Sequence, residues 1–425
     1  VKLLFVTPGW PKKSLWGELG FKFPSLSFAA LAAVTPPNWE VEYCDENIER
    51  IDFSTNADLV AITAMTAQAP RAYEIAERFR ERNIPVVMGG FHVSNLPEEG
   101  LRHADVIVAG EGEIVWPRLL TDFERGEPLK LYRSEGLVGM DAIPVARREI
   151  FSGKKYLLTN TLQTTRGCPH ECEFCSVTAF YGRKYRKRPV DSVLSELEIL
   201  RRKNSFAFFV DDNLVADRNY ALSLFDGMRG MGFKWLSHAP IDFARDPELI
   251  RAAGEAGCIG MFVGFESLNR ETLAAMGKKT NLEIDYLEGV AIFRDNGIGI
   301  LGSFVLGSDG DSPAVFEQIL RFCESARLEA AIFPILTPYP GTEVRARLMS
   351  QERIISSAWQ DYDMGHVTFR PSGMTADELQ SGHDWLNRSF YSFSSIFRRI
   401  FKLHRSVQVF APMNLGFRSA IRRTN

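Results

Sequence analysis

Three cysteines stand close together in the run Thr164-Thr165-Arg166-Gly167-Cys168-Pro169-His170-Glu171-Cys172-Glu173-Phe174-Cys175. Thiolates spaced by four and three residues can converge on one cubane, whereas a structural zinc wants a fourth ligand close by. His170, the one local candidate for that ligand, sits inside the loop. Three thiolates on a four-iron cluster leave one iron with a vacant coordination site, and that vacancy is the chemical opportunity. A zinc knuckle or chance clustering is the plainer reading of the same residues. Cys44, Cys258 and Cys323 are scattered, as buried free cysteines usually are. The six cysteines therefore show no disulfide framework and suit a reducing compartment.

The elements that must position this loop follow from strand and helix alternating six times across residues 161–340. Strands are predicted near 162–165, 207–211, 235–239, 260–265, 299–305 and 331–336, with helices near 190–203, 218–231, 247–257, 282–296 and 313–327. Six such units predict an open, partial (β/α)6 barrel, with the cysteine loop after its first strand, at the strand-end face where barrel enzymes build their sites. Later strand ends carry Asp211, Asp212, Glu266 and Ser303. A carboxylate buried at a barrel mouth without a partner is costly, so Glu266 has a reason to face a polar ligand. Asp211 or Asp212 could equally cap the helix that follows.

Residues 1–121 predict a doubly wound, Rossmann-like α/β unit, with strands near 3–7, 41–44, 59–63, 85–89 and 106–109 and a helix near 72–82. Gly89-Gly90 and Gly110-Glu111-Gly112 close two of its strands, where such sheets take ligands. Residues 122–160 read as a connector and residues 341–425 as a mostly helical extension. There Phe390, Phe393, Phe397, Ile400 and Phe401 fall on one helical face beside Arg398, Arg399 and Lys402. Packing on the barrel is the expected use of that face, with peripheral membrane contact the alternative. After Asp384 there is no acidic residue, yet Arg388, Arg398, Arg399, Lys402, Arg405, Arg418, Arg422 and Arg423 follow.

The 425 residues, 45% hydrophobic and 24% charged with a net charge of -3, describe a globular chain of two or three domains. No run approaches the roughly 18 apolar residues that span a bilayer, and the opening Val1-Lys2-Leu3-Leu4-Phe5-Val6 reads as a strand, so a cytoplasmic protein is expected. Arg183, Lys184, Arg186, Lys187 and Arg188, flanked by Tyr181 and Tyr185, form a basic loop. Without a recognised RNA-binding module, a solvated face or an anion contact is expected there, and no nucleic-acid partner.

The pattern C-x-x-x-C-x-aromatic-C, with Phe174 in the aromatic position, resembles the signature of the radical S-adenosylmethionine (radical SAM) superfamily. The resemblance implies that Cys168, Cys172 and Cys175 ligate a [4Fe-4S] cluster whose free iron chelates S-adenosylmethionine, and that reductive cleavage yields a 5′-deoxyadenosyl radical. It implies S-adenosylmethionine contacts from Phe174, Asp211, Asp212, Glu266 and Ser303, although an Asp-Asp pair stands where the superfamily usually has Gly-Gly-Glu. Together with Val87-Met88-Gly89-Gly90-Phe91-His92-Val93, Ala109-Gly110-Glu111-Gly112-Glu113 and the turn Thr337-Pro338-Tyr339-Pro340-Gly341-Thr342, the chain resembles the cobalamin-binding branch, which includes methyltransferases and oxidative cyclases.

That branch's Asp-x-His-x-x-Gly motif, whose histidine is the lower ligand of cobalt, is read against Asp45-Glu46-Asn47-Ile48-Glu49-Arg50, where the imidazole is missing. Cobalamin would then sit near Thr63, Thr66, Gly89 and Gly90 without a protein ligand to cobalt, or be absent. The implied function is C-methylation of an unactivated carbon in a small or lipid-like substrate, fed by an electron donor such as flavodoxin or ferredoxin. Two readings stay beside it: a cobalamin-free oxidoreductase, cyclase or carbon–carbon or carbon–sulfur bond-forming enzyme, and a non-catalytic cluster or cobalamin sensor. A tRNA methylthiotransferase would need more N-terminal cysteines than Cys44.

Overall fold

The computed structural model describes residues 1–20, 22–134, 136–202, 204–400 and 407–424. In strand β1 (Lys2–Thr7), Leu3 and Phe5 point to one side and Leu4 and Val6 to the other, and all four are buried. Only a sheet covered on both faces allows that. Strands β2 (Glu40–Asp45), β3 (Leu59–Thr63), β4 (Val86–Gly89), β5 (Val106–Ala109) and β6 (Leu131–Arg133) complete a parallel sheet in the order β2-β1-β3-β4-β5-β6. Helix Ala69–Arg80 covers one face with Ala72, Ile75, Ala76 and Phe79. Helices Leu26–Ala33 and Gly112–Glu124 cover the other with Phe28, Ala29, Val115 and Trp116. The order reverses between β1 and β3, so the chain leaves those two strands toward opposite faces and opens a crevice at their C-terminal ends. Strand β6 lies in the stretch expected to be a connector. It has three residues and one buried side chain, Tyr132, too short for alternation to show.

The second sheet begins with β7 (Thr161–Leu162). An antiparallel ribbon follows, β8 (Thr165–Arg166) with β9 (Arg186–Lys187), and then β10 (Phe206–Phe209), β11 (Lys234–Pro240), β12 (Cys258–Glu266), β13 (Gly299–Phe304) and β14 (Ala330–Ile332). Its order, β14-β13-β12-β11-β10-β7, is sequential and parallel, the topology of an open barrel. Helices Val190–Arg201, Arg218–Met228, Pro247–Glu255, Tyr286–Asp295 and Val315–Ser325 pack outside. The fourth starts later than predicted because Asp285 caps it, its carboxylate accepting from Glu288 N at 2.9 Å. Inside the barrel Phe208 and Leu236 cluster with Val210 and Phe262. The His238 ring stands 5.5 Å from that of Phe208 and 4.9 Å from that of Phe262. Burial pushes its imidazole down to about 4, so it is neutral at physiological pH, and its Nδ1 has no partner.

Helices Glu343–Ser350, Ala376–Phe390, Phe393–Ile400 and Val407–Thr424 lie in the extension. The aromatic face expected to pack as a unit is divided: Phe390 and Ile400 are buried, while Phe393 and Phe397 are exposed. Phe401, Lys402 and Arg405 lie outside the described residues. Buried Arg399 donates to the carbonyls of Leu328, Glu329 and Phe390 and to Asn414 Oδ1. Phe410 presses on two glycines at the barrel floor, where a Cβ on Gly299 would lie 2.5 Å from its ring and one on Gly260 3.0 Å. The Thr337–Thr342 turn joins the two sheets, for Tyr339 meets Phe91 at 5.9 Å and Gly341 (φ +83°) sits against Asn95. Trp359 adds a hydrogen bond of 2.8 Å to Glu99 across the same seam. Among the described residues no helix is long and apolar enough to cross a membrane. Phe410→Ala is expected to cost about 3–5 kcal/mol, seen as a lower urea midpoint with an unchanged m-value.

Candidate functional site

The cysteine loop is held from three sides. From below, the buried carboxylate of Asp211 accepts from Thr164 N (3.0 Å), Thr164 Oγ1 (2.8 Å), Thr165 Oγ1 (2.6 Å) and Thr165 N, tying the start of the loop to the end of β10. From the ribbon, the Lys184 carbonyl packs so closely on Gly167 (φ +82°) that a Cβ there would lie 2.4 Å away. From the far side, Glu173 N donates to Met276 O (3.2 Å) and Glu173 O accepts from Val344 N (3.0 Å).

Within the loop Cys175 N donates to Cys172 O at 3.0 Å, and the thiols feel one another's charge. Burial pushes Cys172 up to about 11 and Cys168 upward, while the nearby Lys278 ammonium pulls both back. Among the described residues no three Cys, His, Asp or Glu side chains stand close enough to hold a single metal ion. Three soft donors in a half-buried loop beside a fixed positive charge fit an anionic iron–sulfur cluster.

The carboxylates at the mouth differ in the partners they meet. Asp211 turns toward the loop, and its oxygens are taken by the four donors above, so it acts as a brace rather than as a ligand for an incoming ammonium group. Asp212 is half-buried and accepts from Gly167 N at 3.2 Å. Burial pushes it up to about 6 against the pull of that bond and of Arg166. Glu266 ends β12 with φ +62°, a left-handed conformation uncommon away from glycine, and this folds its carboxylate back over Gly264 toward Lys278. The Lys278 Nζ to Glu266 Oε1 distance is 2.9 Å, with both side chains largely buried. Ser303 lies on β13 opposite Gly264, and Phe174 packs partly buried on the barrel core.

Sequence reasoning missed Lys278 and His238. For Lys278 the signal was Gly277 (φ +74°), whose backbone lies against the cysteine loop so that a Cβ would meet Glu171 O at 2.6 Å. For His238 it was a lone imidazole in an inward-facing strand register.

The crevice of the first sheet is a cavity of about 250 Å³. Thr63, Gly89, Gly90, Gly110 and Gly112 form one wall, Leu26, Phe28 and Leu31 another, and Gln163, Arg166, Arg188 and Val210 of the barrel close it. Gly90 (φ +98°) admits no side chain, since a Cβ would meet Ala64 O at 2.8 Å. Thr66 is buried, with its Oγ1 unpartnered, and does not line the cavity.

Asp45-Glu46-Asn47-Ile48-Glu49-Arg50, read above as the place of a lower-ligand motif, is corrected by the topology. It follows edge strand β2 and lines no part of the cavity, and Asp45 accepts from Tyr156 OH at 2.7 Å. Helix Leu26–Ala33, after central strand β1, faces the crevice instead and offers no histidine.

The barrel wall of the cavity is charged. Glu196 pairs with Arg148 (2.6 Å) and Arg188 (2.7 Å), and Glu111 pairs with Arg186 (2.8 Å) and Arg166 (3.2 Å). Burial raises the Glu111 carboxyl, but hydrogen bonds from Arg186 and Val138 N hold it below its ordinary value. Arg188 Nε is buried without a partner. The chemistry of the walls, glycines with one apolar side and one side of fixed charges, suits a ligand edge that is apolar on one face and amide-rich at its rim, as cobalamin has. Of the basic loop, Arg183 pairs with Glu171, Arg186 with Glu111, Lys187 with Asp217 and Arg188 with Glu196, so four of its five cations are neutralised within the chain.

Comparison with known proteins matches residues 13–120 to the B12 binding domain and residues 162–323 to the Radical SAM superfamily. The bacteriochlorophyllide d C-12(1)-methyltransferase of Chlorobaculum tepidum is 32% identical over 94% of this chain and 89% of its own length. The hopanoid C-2 methylase of Rhodopseudomonas palustris is 28% identical over 80% of this chain and 67% of its own. Among solved structures, the radical S-adenosylmethionine methyltransferase TsrM of Kitasatospora setae shares the fold with a TM-score of 0.67 at 18% identity, over 82% of this chain and 76% of that one.

Asp211→Asn leaves a buried N–H facing an amide and is expected to lower the unfolding free energy by about 3 kcal/mol in protein free of cluster, read by thermal denaturation. Lys278→Met leaves Glu266 buried and unpaired, at a cost of about 3–5 kcal/mol. Adding Glu266→Gln should recover most of that loss, and a double-mutant cycle on unfolding free energies checks it.

Proposed function

The chain belongs to the radical SAM superfamily, in the branch that carries a B12-binding domain, and from that premise we propose that it transfers a methyl group to an unactivated carbon of a lipid-like molecule. One observation carries this reading: the crevice of the first sheet is walled by Arg166 and Val210, and Arg166 stands two residues before Cys168, so the B12 crevice and the cysteine loop share one partition. A methyl carrier in the crevice and a radical generator at the loop would face a common space. One relative acts by name on a bacteriochlorophyllide and the other on a hopanoid, which supports an apolar, multi-ring substrate.

When bound, S-adenosylmethionine on its cluster supplies the radical and the methyl group, and cobalamin supplies the carrier. Within this chain Cys168, Cys172 and Cys175 would hold the cluster, and Asp212, Glu266 and Ser303 would meet the polar parts of S-adenosylmethionine, with Phe174 beside it. Lys278 would keep Glu266 in place and offset the negative charge of the cluster. Thr63, Gly89 and Gly90 would border cobalamin, and the apolar interior of Phe208, Leu236 and Phe262 would keep water from a reactive carbon. The proposed division of labour is a cobalamin unit over 1–121, a connector over 122–160, the radical unit over 161–340 and an extension over 341–425. A reductant of the flavodoxin or ferredoxin type would deliver the electron.

Anaerobic reconstitution should give about 4 irons per chain and bound cobalt. Turnover should release 5′-deoxyadenosine and S-adenosylhomocysteine in matched amounts. Deoxyadenosine without S-adenosylhomocysteine would assign cyclisation or oxidation instead, and neither product would assign a sensor. Replacing all three loop cysteines by Ala should remove the chromophore and both products.

A further inference from the structure

Between β1 and helix Leu26–Ala33 the chain does not return directly to its own sheet but crosses to the barrel. Leu19 is buried in the barrel's core, and Glu18 accepts from Arg423 at 2.7 Å. Helix Leu15–Glu18 carries Trp16 beside Ile332 at the β14 edge. Lys22 Nζ donates to the carbonyls of Trp16 (2.5 Å) and Gly17 (2.9 Å), which folds the segment back on itself. Its end reaches the other end of the strand order, where the Phe23 ring stands 5.6 Å from that of Phe208 on β10. The segment thus spans the open side of the barrel from β14 to β10, with the interior between it and the strands.

Aromatic rings line that interior. Phe208 and Phe262 stand 5.6 Å apart, and Phe23 is 42% exposed beside Phe208. His238 shares their face, for it pairs in register with Phe262 and lies two residues past Leu236, so the pleat turns it inward. The Asp211 backbone engages the imidazole, while the buried Nδ1 has no partner. A polar nitrogen left unpaired in an apolar interior is costly, and nothing in the division of labour above uses it. The next inward layer toward the mouth holds Pro240, Gly264 and Ser303, where S-adenosylmethionine is proposed to sit. His238 therefore lies two residues, about 7 Å, beneath that position.

Flat rings and a neutral imidazole select among multi-ring molecules. Aromatic walls stack on a planar, unsaturated ring system better than on a puckered, saturated one. Neutral imidazole is a common metal ligand, and a metal ion whose four in-plane positions are filled by a macrocycle still lacks an axial one. We propose that the substrate is a planar tetrapyrrole with a central magnesium ion, that it lies between Phe23 and the barrel wall, and that His238 is the axial ligand of the magnesium. His238 is then a positioning residue: by fixing the macrocycle it fixes which carbon faces the cofactors. The inference rests on the reading of a multi-ring substrate and narrows it to one class.

Binding to the full chain, reconstituted with its cluster, tests it with three probes: chlorophyllide a, pheophorbide a, which is the same ring without the metal, and diploptene, a pentacyclic hydrocarbon. Chlorophyllide should bind at least about tenfold more tightly than pheophorbide, and its Soret band should move to the red as a nitrogen ligand replaces water. His238→Leu should remove that band shift and bring chlorophyllide down to the pheophorbide level, with pheophorbide binding and thermal unfolding unchanged. In His238→Ala, added imidazole should restore the shift, and Phe23→Ser should weaken both macrocycles alike. Equal binding of the two macrocycles by the wild type overturns the proposal, whether or not a variant folds. So does a band shift that survives His238→Leu, undiminished binding by Phe23→Ser, or diploptene bound more tightly than either macrocycle. Product assays are the separate arm. Metal-dependent and His238-dependent binding without deoxyadenosine or S-adenosylhomocysteine keeps the site and removes methylation, whereas methylation of diploptene without metal-dependent binding removes the macrocycle and leaves methylation.

Discussion

The cysteine loop exists as a shaped object because one carboxylate, Asp211, is buried beneath it. Two consecutive threonines present two backbone N–H groups and two hydroxyls to the same side chain, and no neutral residue can receive all four. Burial alone would favour the protonated acid, and it does raise the Asp211 pKa to about 6. The donors work against that shift, and they fix where the chain must turn before Cys168. Everything above the brace inherits its position: Gly167 against Lys184, Glu173 between Met276 and Val344, and the three thiols between them.

A second constraint is electrostatic and joins the two sheets. Glu111 and Glu196 are each nearly inaccessible and each faces two guanidinium groups, with Arg166, Arg186 and Arg188 coming from the ribbon and its exit and Arg148 from the stretch between the sheets. Buried ion pairs of this kind add little net stability over a well-packed apolar contact, but breaking one partner is expensive. Their value is geometric, since guanidinium forks accept few arrangements of a carboxylate. The crevice therefore has a rigid polar wall facing a pliable apolar one, and the glycines of β4 and β5 leave the space between.

The barrel was legible from its sequence because each strand and helix is long enough to show its period, and the cysteine spacing names its own chemistry. What stayed hidden had physical reasons. Three-residue β6 cannot display alternation. Asp211 and Asp212 are neighbours in sequence just past β10, and only the folded chain shows that one takes four donors from Thr164 and Thr165 while the other takes the N–H of Gly167. Lys278 lies twelve residues past Glu266, and only a folded chain brings its ammonium back to that carboxylate. The lower-ligand position was sought after β2, whereas the strand order places β2 at the edge and lets the segment after β1 reach the crevice. On the extension, an amphipathic pattern identified the helix but not which aromatic rings it hides, because Phe390 and Phe393 differ by less than one turn.

Arg166 links the two compartments mechanically. Its guanidinium is gripped by Glu111 and Glu113 in the first sheet, while its own backbone leads directly into Gly167 and the first thiol. A hinge motion that widened the crevice would tug on that backbone like a tether, so admitting a bulky guest on one side of the partition and keeping the iron ligands in register on the other are a single elastic event.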